Sequence, residues 1–272
     1  MTDQSSETFS EPPWFARGLA IQARVIGALI MRELHTRYGR ENVGYLWVVL
    51  EPMMLAVAIA FARSGSKGAD YTDDIRPVPF VVCGYCVFIL FRSVVSRSEG
   101  TLESNGPMLY HRMVSVFDML FARLVLEASG AGTTLAIMIC FITVLGYGSL
   151  PARPLDLIAG FMAMVWFSFS LSMIICAITH ENRTAGRLVH PVMYLTLPLS
   201  GCFYQISWLP EPFRGWMSWF PLAEIFEQVR YGEFSSATNQ YVKPLYLIGW
   251  FMALTWVGMV AIKHVRNNVH LS

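Results

Sequence analysis

The chain has 272 residues, of which 54% are hydrophobic and only 14% carry a charge. A soluble domain carries about 25% charged residues, so this composition indicates an integral membrane protein and excludes a disordered, collagen-like or coiled-coil chain. The net charge of +1 argues against a nucleic-acid partner, because such a protein needs a basic excess to neutralise phosphates.

The amino-terminal region divides into a polar tail, residues 1–14, and an amphipathic helix, residues 15–43. The tail contains Asp and Glu but no Lys or Arg, so we predict no secretory signal and a cytoplasmic amino terminus. In the helix, Leu19, Ile26 and Ile30 share one side of a 3.6-residue period, and Arg17 and Arg24 lie opposite. This pattern predicts a helix that lies in the cytoplasmic membrane interface.

Residues 44–263 are predicted to form a six-span transmembrane domain, followed by a cytoplasmic tail, residues 264–272. Stretches of about 20 apolar residues, enough to cross the hydrocarbon core, lie at 44–62, 78–96, 124–147, 157–179 and 245–262. Between residues 188 and 220 the pattern is interrupted by helix-breaking residues: Pro191, Pro198, Gly201, Pro210 and Pro212.

We therefore expect a fifth span that ends near Phe203, followed by re-entrant periplasmic helices; a kinked lipid-facing helix is the alternative. Lys and Arg are more numerous in the loops on the side of the amino terminus. This bias favours a cytoplasmic location for both termini.

The motifs of the common membrane-associated enzymes are absent from the sequence. There is no phosphate-binding G-x-x-x-x-G-K-[ST] loop, no zinc-binding H-E-x-x-H and no G-x-S-x-G nucleophile turn. We therefore expect no catalytic residue, no metal site and no directly bound cofactor. Cys83 and Cys86 have redox spacing, but they lie in an apolar stretch without a close base, which disfavours a redox role.

A few polar residues lie within the predicted spans. Glu51, next to Pro52, places a charge at a kink in the first span, a combination that favours a function. Arg123 and Glu127 are four residues apart, which predicts that they pair on one helix face. Aromatic residues concentrate near span ends, as is typical of an interfacial belt, although aromatic rings lining a pore would also let sugar rings stack and slide.

Two segments carry specific motifs. The first reads Arg32-Glu33-Leu34-His35-Thr36-Arg37-Tyr38-Gly39, then Gly44-Tyr45-Leu46-Trp47 and Leu50-Glu51-Pro52. The second contains Pro198-Leu199-Ser200-Gly201-Cys202-Phe203-Tyr204, Leu209-Pro210, Arg214, Pro221-Leu222, Glu227, Arg230-Tyr231 and Phe234. Over roughly residues 15–265 these motifs resemble the type-2 ABC exporter permeases, and among them most resemble the permease of capsular polysaccharide export.

The resemblance implies an all-α permease that forms a homodimer in the bacterial inner membrane. Two separate ATPase subunits would bind ATP and Mg on the cytoplasmic face, and the cargo would be a lipid-linked acidic polysaccharide. A periplasmic adaptor and an outer-membrane export protein are the further partners it implies.

The same resemblance assigns roles to three groups of residues. The substrate entrance would be formed by Arg32, Arg37, Tyr38 and Arg40. The channel lining would include Tyr45, Trp47, Glu51, Tyr85, Phe88, Phe203 and Tyr204. Coupling to the ATPase would use the loops at 98–113 and 180–187, through Glu103, Asn105, Gly106, Pro107, Arg112, Glu181 and Arg183.

Two alternatives remain open. The cargo could be an O-antigen, a teichoic acid or another glycolipid, moved by a permease of the same type. The short stretch between the first two spans, residues 63–77, favours a glycan exporter over other type-2 exporters. A membrane-embedded glycan-modifying enzyme is the second alternative; it would use His190 or His111, and neither has a convincing catalytic partner in the sequence.

Overall fold

The computed structural model describes residues 14–38, 75–105 and 114–269, together with three single positions, 50, 54 and 58. Within these ranges the regular structure is entirely helical, so the predicted all-α class is confirmed. Of the predicted first span, 44–62, only the three single helical positions fall within the described part of the chain.

The helices follow one another in this order: α1 (Trp14–Tyr38), α2 (Pro77–Ser96), α3 (Thr101–Ser104), α4 (Val116–Val144), α5 (Pro154–Glu181), α6 (Arg183–Leu199), a 3₁₀ helix (Ile206–Trp208), α7 (Phe213–Met217), α8 (Pro221–Glu233) and α9 (Pro244–Val269). Four of them, α2, α4, α5 and α9, are long and apolar enough to cross a membrane. They correspond to the predicted second, third, fourth and last spans.

The start of α4 differs from the prediction. The helix begins at Val116, after a capping box in which the Ser115 hydroxyl accepts from the Asp118 backbone N–H at 3.1 Å. The prediction placed the start at residue 124, because the apolar window begins only after Arg123. A helix start is set by its cap rather than by its first apolar residue, so the span is longer than its hydropathy indicates.

The predicted fifth span is a shorter helix than the others. Helix α6 has 17 residues and contains Pro191 and Pro198. Its length of about 25 Å is less than the hydrocarbon core of about 30 Å. It ends just before Gly201, which has a φ of 84°, and the chain then continues in short helical pieces up to α8.

Helix α5 lies at the centre of the described bundle, in contact with α2, α4, α6, α8 and α9. Apolar residues occur all around it, the pattern of a helix that is buried on several sides. Met164 and Met173 are fully buried along it. The core of the protein is therefore built around α5.

We call the end of the bundle that carries α1 the proximal end. Residues 97–105 also lie there; this segment contains the turn after α2 together with the short α3, and we call it the α2–α3 turn. The start of α4 and the α5–α6 junction lie at the same end. The opposite, distal end carries the turn after α4 and the chain from Ser200 to α9: Arg76 donates to Gly146 O, and the Ala152 N–H donates to Glu233 O.

The apolar face of α1 packs against protein. Leu29 is buried with Met119 and Ala122 of α4, and Ile26 and Ile30 lie at the edge of the same cluster. The amphipathic pattern of the sequence is thus explained, in this part of α1, by contact with the bundle.

Helix α8 approaches α5 closely at two glycines: Gly160 of α5 faces Val229, and Gly232 of α8 faces Leu157. A Cβ at Gly160 would lie 2.9 Å from the backbone nitrogen of Val229, and a Cβ at Gly232 would overlap the backbone of Leu157. Glycine at these positions lets the two helix backbones come together at the distal end.

We predict that Gly160→Ala destabilises the protein by about 1–3 kcal/mol, because the added methyl group meets backbone atoms that cannot rotate away. The measurement is the thermal unfolding midpoint in detergent. Gly249→Ala is the matched control, since Gly249 has no atom within 4 Å of the added Cβ. Equal midpoints for the two variants would contradict the close approach.

Candidate functional site

The side chain of Arg123 joins three elements at the proximal end. Its Nε lies 3.3 Å from Glu33 Oε1 of α1. Its Nη1 donates to Arg97 O at 2.7 Å and to Thr101 Oγ1 at 2.7 Å, both in the turn between α2 and α3. Because Arg123 itself belongs to α4, one guanidinium connects α1, this turn and α4.

A second contact joins α1 to the same turn. Arg32 Nη2 donates to Asn105 Oδ1 at 2.6 Å, and Asn105 Nδ2 donates to Thr101 O at 2.8 Å. Arg32 was predicted at the substrate entrance and Asn105 at the ATPase contact. The structure brings together two residues that the sequence analysis assigned to different roles.

The predicted pairing of Arg123 with Glu127 along one helix is replaced by pairs between elements. Glu127 Oε1 lies 3.0 Å from Arg97 Nε, and Arg123 pairs with Glu33. The sequence pattern indicates only pairs within one helix turn, whereas folding brings Glu33 of α1 to Arg123 and Arg97 of the α2–α3 turn to Glu127. The cross-element pairs hold the proximal end together, which a pair within one helix cannot do.

The α5–α6 junction forms the other part of the proximal surface. Glu99 Oε2 lies 3.5 Å from His190 Nε2, which links the α2–α3 turn to α6. Glu181 lies at the end of α5, 3.8 Å from His264 of α9, and both side chains are exposed. Of the other described residues of the predicted ATPase contact, Glu103 is also exposed, whereas Asn105 is buried.

Several predicted site residues lie outside the described residues. They are Arg40, Tyr45, Trp47, Glu51, Gly106, Pro107 and Arg112, together with the side chains of Arg37, Tyr38 and Arg183. Their roles stay predictions.

The other predicted channel residues lie in two environments. Tyr85 and Phe203 are half-buried at the edge of the main apolar cluster, and the Tyr204 hydroxyl donates to Leu199 O at 3.1 Å. Phe88 lies inside the core, 1% exposed, with its ring 6.1 Å from that of Phe91. Phe88 therefore has no open surface beside it in this arrangement of the chain.

A polar network at the distal end was not assigned a role by the sequence analysis. Arg230 is 2% exposed and donates to Gly201 O and Tyr204 O, with its guanidinium 4.2 Å from the centre of the Phe80 ring. Glu227 Oε1 accepts from the Ile206 N–H at 2.7 Å. An acidic and a basic residue three positions apart in the sequence, Glu227 and Arg230, are the signal that could have indicated it.

Arg153 holds the following turn in a similar way. It donates to Tyr231 O at 2.8 Å and to Phe234 O at 3.2 Å, and its guanidinium lies 4.1 Å from the centre of the Tyr231 ring. These bonds satisfy carbonyl groups that the end of α8 leaves without helical partners. The two arginines thus fix the irregular chain on both sides of α8.

Glu233 lies among these groups with little access to water. Its residue is 5% exposed and its Oε2 atom has no hydrogen-bond partner in the described structure. Burial raises the pKa of the Glu233 carboxyl from 4.5 to about 7, because the charged form loses its hydration.

No group of three or more His, Cys, Asp or Glu side chains within the described ranges is arranged to hold a metal ion. Cys83 and Cys86 are buried in α2 as free thiols.

The fold and these contacts define an α-helical membrane protein with a charged proximal surface, and comparison with known proteins identifies its class. The chain belongs to the ABC-2 type transporter family, whose profile matches residues 24–234. The resemblance to type-2 ABC exporter permeases is thereby confirmed.

Named relatives match nearly the whole chain. The capsule polysaccharide export inner-membrane protein BexB of Haemophilus influenzae is 31% identical over 261 residues, which cover 96% of this chain and 98% of BexB. The capsule polysaccharide export inner-membrane protein CtrC of Neisseria meningitidis serogroup B is 31% identical, covering 94% and 96%. The polysialic acid transport protein KpsM of Escherichia coli is 22% identical, covering 94% and 98%.

We predict that Arg123→Met loosens the α2–α3 turn and α1, because Glu33 and two acceptors in the turn lose their donor. Breaking such a partly buried pair costs about 1–3 kcal/mol. Hydrogen exchange of residues 97–105 should become faster by roughly tenfold or more. Arg24→Met is the control, since exposed Arg24 bonds only within α1, to Ala20 O; similar exchange in both variants would contradict the role of Arg123.

The raised pKa of Glu233 predicts a dependence of stability on pH. The folded state binds a proton that the unfolded state has released, so stability falls as pH rises from about 4.5 to about 7. The loss from this group amounts to up to about 3 kcal/mol.

In Glu233→Gln the decline of the unfolding midpoint between pH about 5 and about 8 should be shallower than in the wild-type protein. Glu211→Gln changes an exposed carboxyl and should keep the wild-type slope. An unchanged slope in Glu233→Gln would show that Glu233 is ionised in the folded protein at pH 5.

Proposed function

We propose that the chain is the permease half of an ATP-driven exporter that moves a capsular polysaccharide across the bacterial inner membrane. The observation that carries this proposal is the similarity, over nearly the full length of both chains, to two proteins named for capsule polysaccharide export. Membership of the ABC-2 type transporter family supports transport rather than a glycan-modifying enzyme.

The proposed topology has six spans and places the proximal end in the cytoplasm. Four of the spans are α2, α4, α5 and α9. Residues 44–62 and α6 supply the other two, with the chain from Ser200 to α8 forming the re-entrant periplasmic part. The exposed basic residues near both termini, among them Arg17, Arg24 and Arg266, support a cytoplasmic proximal end.

In this mechanism two separate ATPase subunits bind ATP and Mg beneath a homodimer of permeases. Closure of the ATPases moves the 98–113 loop and the 180–187 segment. The contacts of Arg123 and Arg32 connect the first of these segments to α1 and α4. Packed helices move as rigid bodies, so a displacement of the α2–α3 turn by the closing ATPases would shift α1 and α4 together.

The proposed cargo is a lipid-linked acidic polysaccharide. Arg32, Arg37 and Arg40, with Tyr38, would attract its anionic part at the cytoplasmic entrance. Rings that lie on an open surface suit a sliding sugar chain, and the half-buried Tyr85, Phe203 and Tyr204 fit that role better than the buried Phe88. Tyr45, Trp47 and Glu51 of the first span complete the proposed lining.

Assembly into a homodimer, with a periplasmic adaptor and an outer-membrane export protein, belongs to the same proposal. Helix α6 supports it with an apolar face turned away from the described bundle: Leu188, Val192, Leu195 and Leu199 are exposed along it. Lipid, the first span or the second permease would cover this face. The 31% identity to the two capsule exporters favours capsular cargo over other glycolipids.

The direct test is reconstitution of the purified chain with its ATPase subunit in vesicles that contain the lipid-linked polysaccharide. We expect ATP-dependent appearance of the polymer on the far side of the membrane, and none with ATPase or ATP omitted. A permease that purifies with no ATPase, and vesicles that show no ATP-dependent transport, would overturn the proposed function.

We predict that Arg32→Ala lowers the transport rate in these vesicles by about tenfold or more, since it removes a charge-assisted hydrogen bond to Asn105. Asn105→Ala, which removes the acceptor, should have a similar effect if Arg32 acts by positioning the turn. Arg24→Ala is the control with the same change of charge. Normal transport by Arg32→Ala at normal abundance would remove Arg32 from the entrance and from the coupling path.

A further inference from the structure

A cavity of about 250 Å³ opens at the proximal end, between the α2–α3 turn and the α5–α6 junction. Its polar lining comes from both of these segments: Glu99 and Glu103 from the first, and Thr179, His180 and Arg187 from the second. The volume is large enough for a long side chain. A side chain inserted here would contact both segments that the proposed function places against the ATPase.

Two polar atoms in the wall of the cavity have no hydrogen-bond partner in the described structure. They are Glu99 Oε2 and His180 Nδ1, and both are buried. His190 Nε2 lies 3.5 Å from Glu99 Oε2, and the His190 side chain is mostly exposed. Buried polar atoms are normally hydrogen-bonded, so the Glu99 oxygen favours a ligand that donates a hydrogen bond.

The Glu99 side chain rests against Gly186. A Cβ on Gly186 would lie 2.8 Å from Glu99 Oε1, so an added methyl group would make the Glu99 carboxyl shift from its place against the first turn of α6. The amino-terminal end of a helix carries a partial positive charge that stabilises a carboxylate. The Glu99 carboxyl therefore lies beside the amino-terminal end of α6, at the wall of the cavity.

The charges of the lining indicate the sign of the occupant. Glu99 and Glu103 are acidic residues, and Arg187 is the one Lys or Arg among the described lining residues. An anionic lipid headgroup or phosphate would be repelled by the two carboxylates. A guanidinium or an ammonium group matches both the charge and the unsatisfied oxygen of Glu99.

We propose that this cavity receives an Arg or Lys side chain of the ATPase subunit, with Glu99 as its main acceptor. The inference rests on the proposed function, since it assumes an ATPase partner, and it adds the chemistry by which that partner is recognised. One inserted side chain links the α2–α3 turn and the α5–α6 junction to the same point of the ATPase. Both segments then move with it.

The test measures the dissociation constant between the detergent-solubilised permease and the purified ATPase subunit of the same transporter. Glu99→Gln keeps the shape of the side chain and removes its charge, and should weaken binding about tenfold or more. The dependence of binding on salt should become shallower, because one ion pair is lost. Glu211→Gln, an identical change at the distal end, should bind like the wild-type protein.

A second variant separates geometry from charge. Gly186→Ala keeps the carboxylate but displaces it, and we expect binding to weaken by roughly threefold or more. Alanine suits a helix better than glycine, so this change should not unfold α6. Gly130→Ala is the control, since a Cβ at Gly130 has no atom within 4 Å.

The outcomes distinguish this inference from the proposed function. If the wild-type permease binds no ATPase, the proposed function fails. If the wild-type protein binds and Glu99→Gln binds equally well, the cavity does not receive a basic side chain, and the proposed function stands. Weaker binding of Glu99→Gln would support the inference. A charge exchange would then confirm it: Glu99→Lys should bind again to an ATPase in which one Arg or Lys is replaced by Glu, and that Arg or Lys is the partner residue.

Discussion

The proximal end of this protein depends on the pairing of Arg123, a charged residue in the mainly apolar helix α4. A charged side chain in such a place is costly unless acceptors surround it. The structure supplies them from outside α4: the carboxylate of Glu33 in α1, and two oxygens of the α2–α3 turn. The bonds of the Arg123 guanidinium thereby hold α1 and the α2–α3 turn against α4. These are the segments through which a push from an ATPase would enter the membrane part of the permease.

The distal end uses the same physical solution for a different purpose. Before and after α8 the chain has irregular segments, and the carbonyl groups of these segments lack the partners that a continuous helix would provide. Arg230 and Arg153 donate to these carbonyls, and the planar guanidinium suits this because it offers several donors in fixed directions. Helix α5 contacts both ends, so the two arginine-centred networks are connected by one rigid element.

Much of the helical framework could be predicted from local patterns. The second, fourth and last spans were found close to their observed bounds, because an uninterrupted apolar stretch of about 20 residues has few other stable structures. The predicted start of α4 was eight residues too late. The helix begins at its cap, and two polar residues, Asp118 and Arg123, lie between the cap and the apolar stretch. The roles of Arg230 and Arg153 were missed, because their acceptors are backbone carbonyls, which every residue possesses and no sequence pattern indicates.

The sequence by itself determined the class of this protein: an all-helical membrane chain, its main apolar spans, and motifs that resemble the family to which it belongs. These properties depend on composition and on neighbours within one helix turn, which are written directly in the order of the residues. Tertiary structure alone decided which charges meet. Arg123 bonds to Glu33 and not to Glu127, Arg32 reaches Asn105, and Glu99 rests on Gly186. Such contacts join residues far apart in the chain, and their partners become known only when the helices have packed.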